Sequence, residues 1–253
     1  MKRTLLSLVP VVLILVVSSS AQRPPDGGSR EVLISIMIPS MPDAPFSATV
    51  NTEWIRMLAD GTRIRLVNHR AIARDKSGRI IQERRALVPD DGKHESLVTQ
   101  IEISDPVKHQ LYICIPQEHT CQLEVFEPVE GVGFNPHTAV PPITASSDLE
   151  DLGTQNVGGV NTIGRRRTTV IDEGVIGNDR PVSATQEYWY SEELGVNLIS
   201  KRQDPRFGMQ NFEVSDIQQG DPDPKLFEVP AGSKIIDLRK PKEIPAPQAQ
   251  VAN

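Results

Sequence analysis

Cys114 and Cys121 bracket six residues, Ile115-Pro116-Gln117-Glu118-His119-Thr120, and are the only thiols in a chain of 253 residues. A segment this short turns a hairpin and lays the two thiols across adjacent strands, where an oxidising compartment joins them. The spacing therefore predicts a disulfide. The competing chemistry is a metal site from His109, Cys114, His119 and Cys121, since imidazole with thiolate suits zinc or copper. His109 and Cys114 are separated by an odd number of positions, however, and face opposite sides of an ideal strand.

Hydrolytic and phosphate-cradling patterns are missing. There is no G-x-S-x-G and no G-x-x-x-x-G-K, and His94-Glu95-Ser96-Leu97-Val98 lacks the second His of a zinc-binding H-E-x-x-H helix. His69, His94 and His137 read as solvent-exposed side chains. Asp221-Pro222-Asp223-Pro224 reads as a stiffened turn rather than a calcium loop. No nucleophile, base and orienting group assemble from these residues, so neither catalysis nor a cofactor or metal is expected.

Charge is the stronger signal. Residues 56–85 hold nine basic side chains (Arg56, Arg63, Arg65, Arg70, Arg74, Lys76, Arg79, Arg84 and Arg85) against Asp60, Asp75 and Glu83, in a chain whose net charge is −6. Arg63 and Arg65 alternate with Ile64 and Leu66, so one face of this segment should be cationic and the other apolar. Arg63, Arg65, Arg79 and Arg84 are the candidate contacts for anionic lipid, phosphorylated glycolipid or an acidic protein partner. The alternative is a solvated outer face that guards a sheet edge. Aromatic residues make up 4% of the chain, too few for a ring-stacking platform.

The start of the chain suggests an address. Lys2 and Arg3 precede an apolar run from Leu5 to Val17, then Ser18, Ser19, Ser20 and Ala21, which is the order of a secretory signal peptide cleaved after Ala21. Interrupted by Pro10, the run is too short to span a bilayer. No Cys follows it, so lipid attachment is not expected. Export to the periplasm or beyond, without a transmembrane span after cleavage, makes the second basic cluster Arg165-Arg166-Arg167 an implausible nucleic-acid site.

The elements that must position these residues are mostly strands. Gln22 to Ser29 reads as a flexible leader, residues 30–238 as one β-rich domain, and residues 239–253 as a disordered Pro-rich tail. Phe46, Ala48, Val50 and Trp54 alternate with polar residues; Ile55, Met57 and Leu58 then break the phase, which predicts a bulge near Trp54. Asp60-Gly61, Asp75 to Gly78 and Asp90-Asp91-Gly92 mark turns between Thr62–Arg74, Arg79–Val88 and Ser96–Ser104. Further strands are expected at 107–115, 121–126, 152–157, 160–171, 182–190, 196–203 and 209–217. Arg30 to Met37 permits a short helix. The Pro-rich segment 128–148 should be a long surface loop joining two halves of one sheet. The expected architecture is mainly β: a single large curved antiparallel sheet, an open half-barrel, with few short helices.

Glu187-Tyr-Trp-Tyr-Ser-Glu-Glu-Leu-Gly-Val-Asn-Leu-Ile-Ser-Lys201, Asp204-Pro-Arg-Phe-Gly208 and Asp223-Pro-Lys-Leu-Phe-Glu-Val-Pro-Ala-Gly232 resemble an uncharacterised group of exported bacterial β-rich proteins. With Gly177-Asn178-Asp179 and the strand 164–171, the likeness covers residues 150–237. More distantly, the W-x-x-x-x-L strand pair and the closing F-x-V-P-x-G look like the superfamily of periplasmic lipoprotein carriers and envelope-stress regulators. That resemblance implies a strongly curved sheet whose apolar concave face holds acyl chains beneath plugging helices. The chain departs from it in having little helix and in its Pro-rich insertion and cysteine hairpin. Two functions follow as expectations: a non-catalytic cell-envelope binding module for an apolar or anionic lipid-like ligand, or a structural or protein-interaction module with a filled core.

Overall fold

Among the described residues there are thirteen strands, most of them where the alternating segments and turn signals fall: β1 (Phe46–Met57), β2 (Arg63–Arg74), β3 (Ile80–Arg85), β4 (Val88–Pro89), β5 (Val98–Asp105), β6 (Gln110–Ile115), β7 (Thr120–Val125), β8 (Ala145–Val157), β9 (Val160–Ile171), β10 (Val182–Ser191), β11 (Val196–Asp204), β12 (Gly208–Gln219) and β13 (Lys234–Asp237). The structure is a computed structural model that describes residues 36–128 and 145–239. The expected signal peptide 1–21, the leader 22–29, residues 129–144 of the expected loop and 240–253 of the tail lie outside the described residues. Among the described residues the helical turns are two 3-10 turns, Pro116–Glu118 and Pro224–Phe227. No described helix is long and apolar enough to cross a membrane.

All strands join one sheet in the order β13-β7-β6-β5-β3-β2-β1-β12-β11-β10-β9-β8, with β4 beside β2. Two hairpin meanders, β1 to β7 and β8 to β12, meet where β1 pairs antiparallel with β12. Only β13 is parallel to its neighbour, β7, among these pairings. The sheet does not close: β8 and β13 are its edges. This is the mainly β, open antiparallel sheet that the strand spacing predicts.

Successive residues of a strand face opposite sides, and the two faces bury different sets. On the face called inner here, Ile36, Ile38, Phe46, Val50, Leu198 and Phe212 belong to the main core. On the outer face Ala73, Ile103 and Phe227 form a smaller cluster, covered by the second 3-10 turn. Trp189 packs against the main core by lying across Gly164, its direct partner on β9. A Cβ on Gly164 would stand 2.6 Å from the indole, so no other residue fits beneath the ring.

The structure corrects several boundaries. The strand expected from 107 begins at Gln110, because the Asp105 carboxylate accepts the amides of Val107 and Lys108 at 3.0 and 2.9 Å and turns the chain. β8 begins at 145, inside the expected loop 128–148. It lacks apolar alternation because it is held by charge: Arg165 Nη1 lies 2.6 Å from Asp151 and Arg166 Nη1 3.0 Å from Glu150. No bulge occurs at Trp54, where the β1–β2 register is continuous; the shift lies between Ser47 and Thr49 against β12. Ile55 is buried because the β11–β12 turn folds over the strand end, with the Trp54 indole donating to Phe207 O at 2.9 Å. Ile36 and Met37 are not helical. The short edge strand β13 has no sequence alternation to announce it.

Candidate ligand-binding cleft

The alternation that makes Arg63 and Arg65 outward-facing continues along β2 and turns Ile64, Leu66, Asn68, Arg70, Ile72 and Arg74 inward. Two arginines thus enter the apolar side. Arg74 is fully buried. Its guanidinium donates to Ala44 O from Nε (2.9 Å) and Nη2 (2.8 Å), to Pro39 O (2.9 Å) and to Leu194 O (2.6 Å), and lies 5.1 Å from the Phe46 ring centre. These bonds strap the extended segment 36–45 across the inner face and tie it to the β10–β11 turn. Burial pushes the Arg74 guanidinium down to about 10.

Arg70 holds the other end of the strap, donating to Ile36 O at 3.1 Å and to Gln82 Oε1 at 3.3 Å. Burial, then the nearby Arg84 charge, lowers it to about 10, so it remains a cation at neutral pH. Between strap and sheet lies a cleft of 450 Å³, walled by Ile36, Met37 and Ile38 on one side and Arg70, Arg84 and Arg85 on the other, with Thr52 and Phe212 between. Among the described residues no carboxylate lines it. Glu102, on the same face beside Gln82 but outside the lining, accepts from Gln82, Gln100 and Arg84 at 2.6, 2.6 and 2.5 Å, and Glu83 accepts from Arg85 at 2.8 Å. The Asn68 amide donates to Arg85 O at 2.9 Å, which orients its carbonyl oxygen, a buried acceptor without a hydrogen-bond partner. Apolar wall and cationic wall in one cleft can take an amphiphile whose head is an anion.

The four arginines expected on one cationic face are divided between two. Arg84 lies on the cleft side, since its strand neighbour Gln82 pairs directly with Ile72. Arg63 and Arg65 lie on the outer face, where Arg65 meets Glu53 and Asp90. Arg79 is engaged by Asp75 at 2.6 Å and by the Phe227 ring at 4.9 Å. Burial would push the Asp75 carboxyl up, but hydrogen bonds from Ser77 and Arg79 bring it below the ordinary range. Arg70 and Arg85 complete the cleft; period-two counting from Ile64 locates Arg70, whereas Arg85 follows a register shift at Arg84/Arg85 that sequence does not reveal.

The outer face is compensated. Glu150, Arg166, Glu187, Lys201, Asn211 and Glu53 form one row of direct cross-strand partners from β8 to β1. Arg166 reaches Glu187 at 2.9 Å, and Asn211 donates to Glu53 at 2.7 Å. Hydrogen bonds from Arg65 and Asn211 hold the Glu53 carboxyl below its ordinary value. A groove of 370 Å³ on this face is lined by both signs, including Arg65, Lys201, Asp90 and Glu213. Both signs line that groove, whereas the described lining of the cleft carries arginine alone, with the acids that pair Arg84 and Arg85 standing outside it.

Cys114 and Cys121 are direct partners on β6 and β7 and form a disulfide, as their spacing predicts. No group of three metal-ligating side chains occurs among the described residues, and His109 and His119 are exposed. Alkylation of unreduced protein should label no thiol by intact mass, and reduction should cost about 2–3 kcal/mol by the loop-entropy relation. Two labels on unreduced protein would contradict the bridge.

No family model matches the chain, and no curated protein matches it. Among solved structures it is similar to the MucA/MucB complex of Pseudomonas aeruginosa, at 13% identity over 76% of this chain and 58% of that chain, TM-score 0.41. It is also similar to an uncharacterized conserved protein from Thermus thermophilus, at 10% identity over 77% and 91% of the two chains, TM-score 0.39. A LolA superfamily protein from Nitrosomonas europaea gives 11% identity over 74% and 91%, TM-score 0.30.

Proposed function

We propose that this protein is a non-catalytic binding module of the cell envelope that holds an anionic, lipid-like amphiphile in the inner-face cleft. The observation that carries the reading is the one-sided lining: Arg70, Arg84 and Arg85 opposite Ile36 and Ile38, with no carboxylate among the described lining residues. Its 450 Å³ falls within the roughly 300–1,000 Å³ of small-molecule sites. The envelope location rests on the signal-like order of residues 1–21 and on the disulfide.

Dodecyl phosphate should bind more tightly than uncharged dodecyl maltoside, and the preference should fall roughly tenfold or more in an Arg84→Ala/Arg85→Ala variant, since hydrogen bonds to charged groups contribute about 1.5–3 kcal/mol. Titration calorimetry reads both. A second reading is favoured by the strap itself, because Ile36 and Ile38 are part of the main core. If neither amphiphile binds, or the phosphate carries no advantage, the inner face is a filled core and the protein is a structural or protein-interaction module.

A further inference from the structure

Hairpin tips in water normally carry polar residues. The β1–β2 tip instead exposes Met57 at 64% and Leu58 at 42%, with Met209 on the adjoining strand at 37%. The tip is well formed: Leu58 N donates to Thr62 O at 2.8 Å, Gly61 N to Leu58 O at 3.0 Å and Thr62 N to the Asp60 carboxylate at 2.8 Å. Its one acid, Asp60, is exposed and caps the turn through the Thr62 amide. Arg63, exposed, pairs directly with Met57, so a cationic and an apolar side chain share one surface, while Arg65, opposite the buried Ile55, is already engaged by Glu53 and Asp90.

We propose that this tip is a second site, distinct from the cleft, that docks the protein onto an anionic bilayer surface. Met57 and Leu58 enter the headgroup layer while Arg63, exposed beside them, meets lipid phosphates. The charge of the rim selects this occupant over another protein's apolar patch: a basic residue near an anionic leaflet contributes about 1 kcal/mol, and the apolar side chains gain by leaving water. The inference goes beyond the cleft reading and does not rest on it.

Trp54 lies three residues before Met57 on the same strand, about 10 Å away at 3.3 Å per residue, and the only other tryptophan, Trp189, packs on the core. The test is co-sedimentation and tryptophan quenching with phosphatidylglycerol vesicles carrying a shallow spin label, beside phosphatidylcholine vesicles. Wild-type protein should partition onto phosphatidylglycerol, lose binding as salt rises, and show quenching of part of its emission. Met57→Asp/Leu58→Asp and, separately, Arg63→Glu should each weaken partitioning roughly tenfold or more with thermal unfolding unchanged. Arg84→Ala/Arg85→Ala should leave it intact.

No preference for phosphatidylglycerol at low salt, or wild-type binding by the folded double variant, would overturn the proposal. So would loss of vesicle binding in the cleft variant alone, which would assign lipid contact to the cleft. Concentration-dependent self-association without vesicles, abolished by the double variant, would show that a second copy covers the tip instead.

Discussion

Arg74→Met should lower the midpoint of thermal unfolding by roughly 6–12 °C, corresponding to a net loss of about 3 kcal/mol in a domain of this size. Two effects oppose each other. Removing the guanidinium relieves the cost of burying a charge, a cost visible in its fall to about 10. Against this, the carbonyls of Pro39, Ala44 and Leu194 lose their donor, and an unmet buried acceptor costs about 1–3 kcal/mol. Three orphans outweigh one relieved cation. Arg74→Lys should recover only part of the loss, because a single ammonium cannot span three carbonyls as a planar fork does. A midpoint within about 2 °C of wild type would mean the strap is held by its apolar side chains alone.

Gly208→Ala should be comparably damaging for a different reason. Gly208 has φ +88°, and a Cβ there would lie 2.2 Å from Ile55 O and 3.2 Å from Ile55 C, both backbone atoms that no rotamer change can move. Left-handed backbone alone costs an L-residue roughly 1–2 kcal/mol. Gly92 measures that part separately, since it has φ +66° and nothing within 4 Å of its added Cβ. Gly208→Ala should lower stability by at least about 2 kcal/mol more than Gly92→Ala, or prevent folding. Equal midpoints for the two variants would show that the turn shifts away from β1 without cost.

Local information accounts for what was legible before the structure. Turn signals such as Asp75-Lys76-Ser77-Gly78 close hairpins within a few residues, and here Asp75 takes the Ser77 and Arg79 amides at 3.0 and 2.9 Å. The cysteine pair was readable for the same reason. Arg70 was readable in principle, because Ile64, Leu66 and Ile72 fix its side of the strand, but counting arginines as one cationic patch hid it. What spacing cannot supply is partnership between distant segments. Glu53 meets Asn211 across 158 positions, and Arg74 meets Leu194 across 120. The row of compensating charges on the outer face exists only once six strands are in register, so the local excess of arginine overstated the charge that this face presents.

The pairing of β1 with β12 also sets an order of assembly. Phe46 and Gln219 are partners, so the longest contact of the sheet spans nearly the whole described chain. Hairpins close in microseconds, whereas a loop of this length is closed late and at greater entropic cost. Each meander can zip from its own turns while β1 waits for a neighbour that lies beyond every other long strand in the chain. During that interval β1 is an unprotected edge, and its inward side chains Phe46, Ala48 and Val50 offer a hydrophobic template to any other extended chain. The hazard belongs to synthesis and folding rather than to the finished molecule, in which β1 is enclosed near the centre of the sheet.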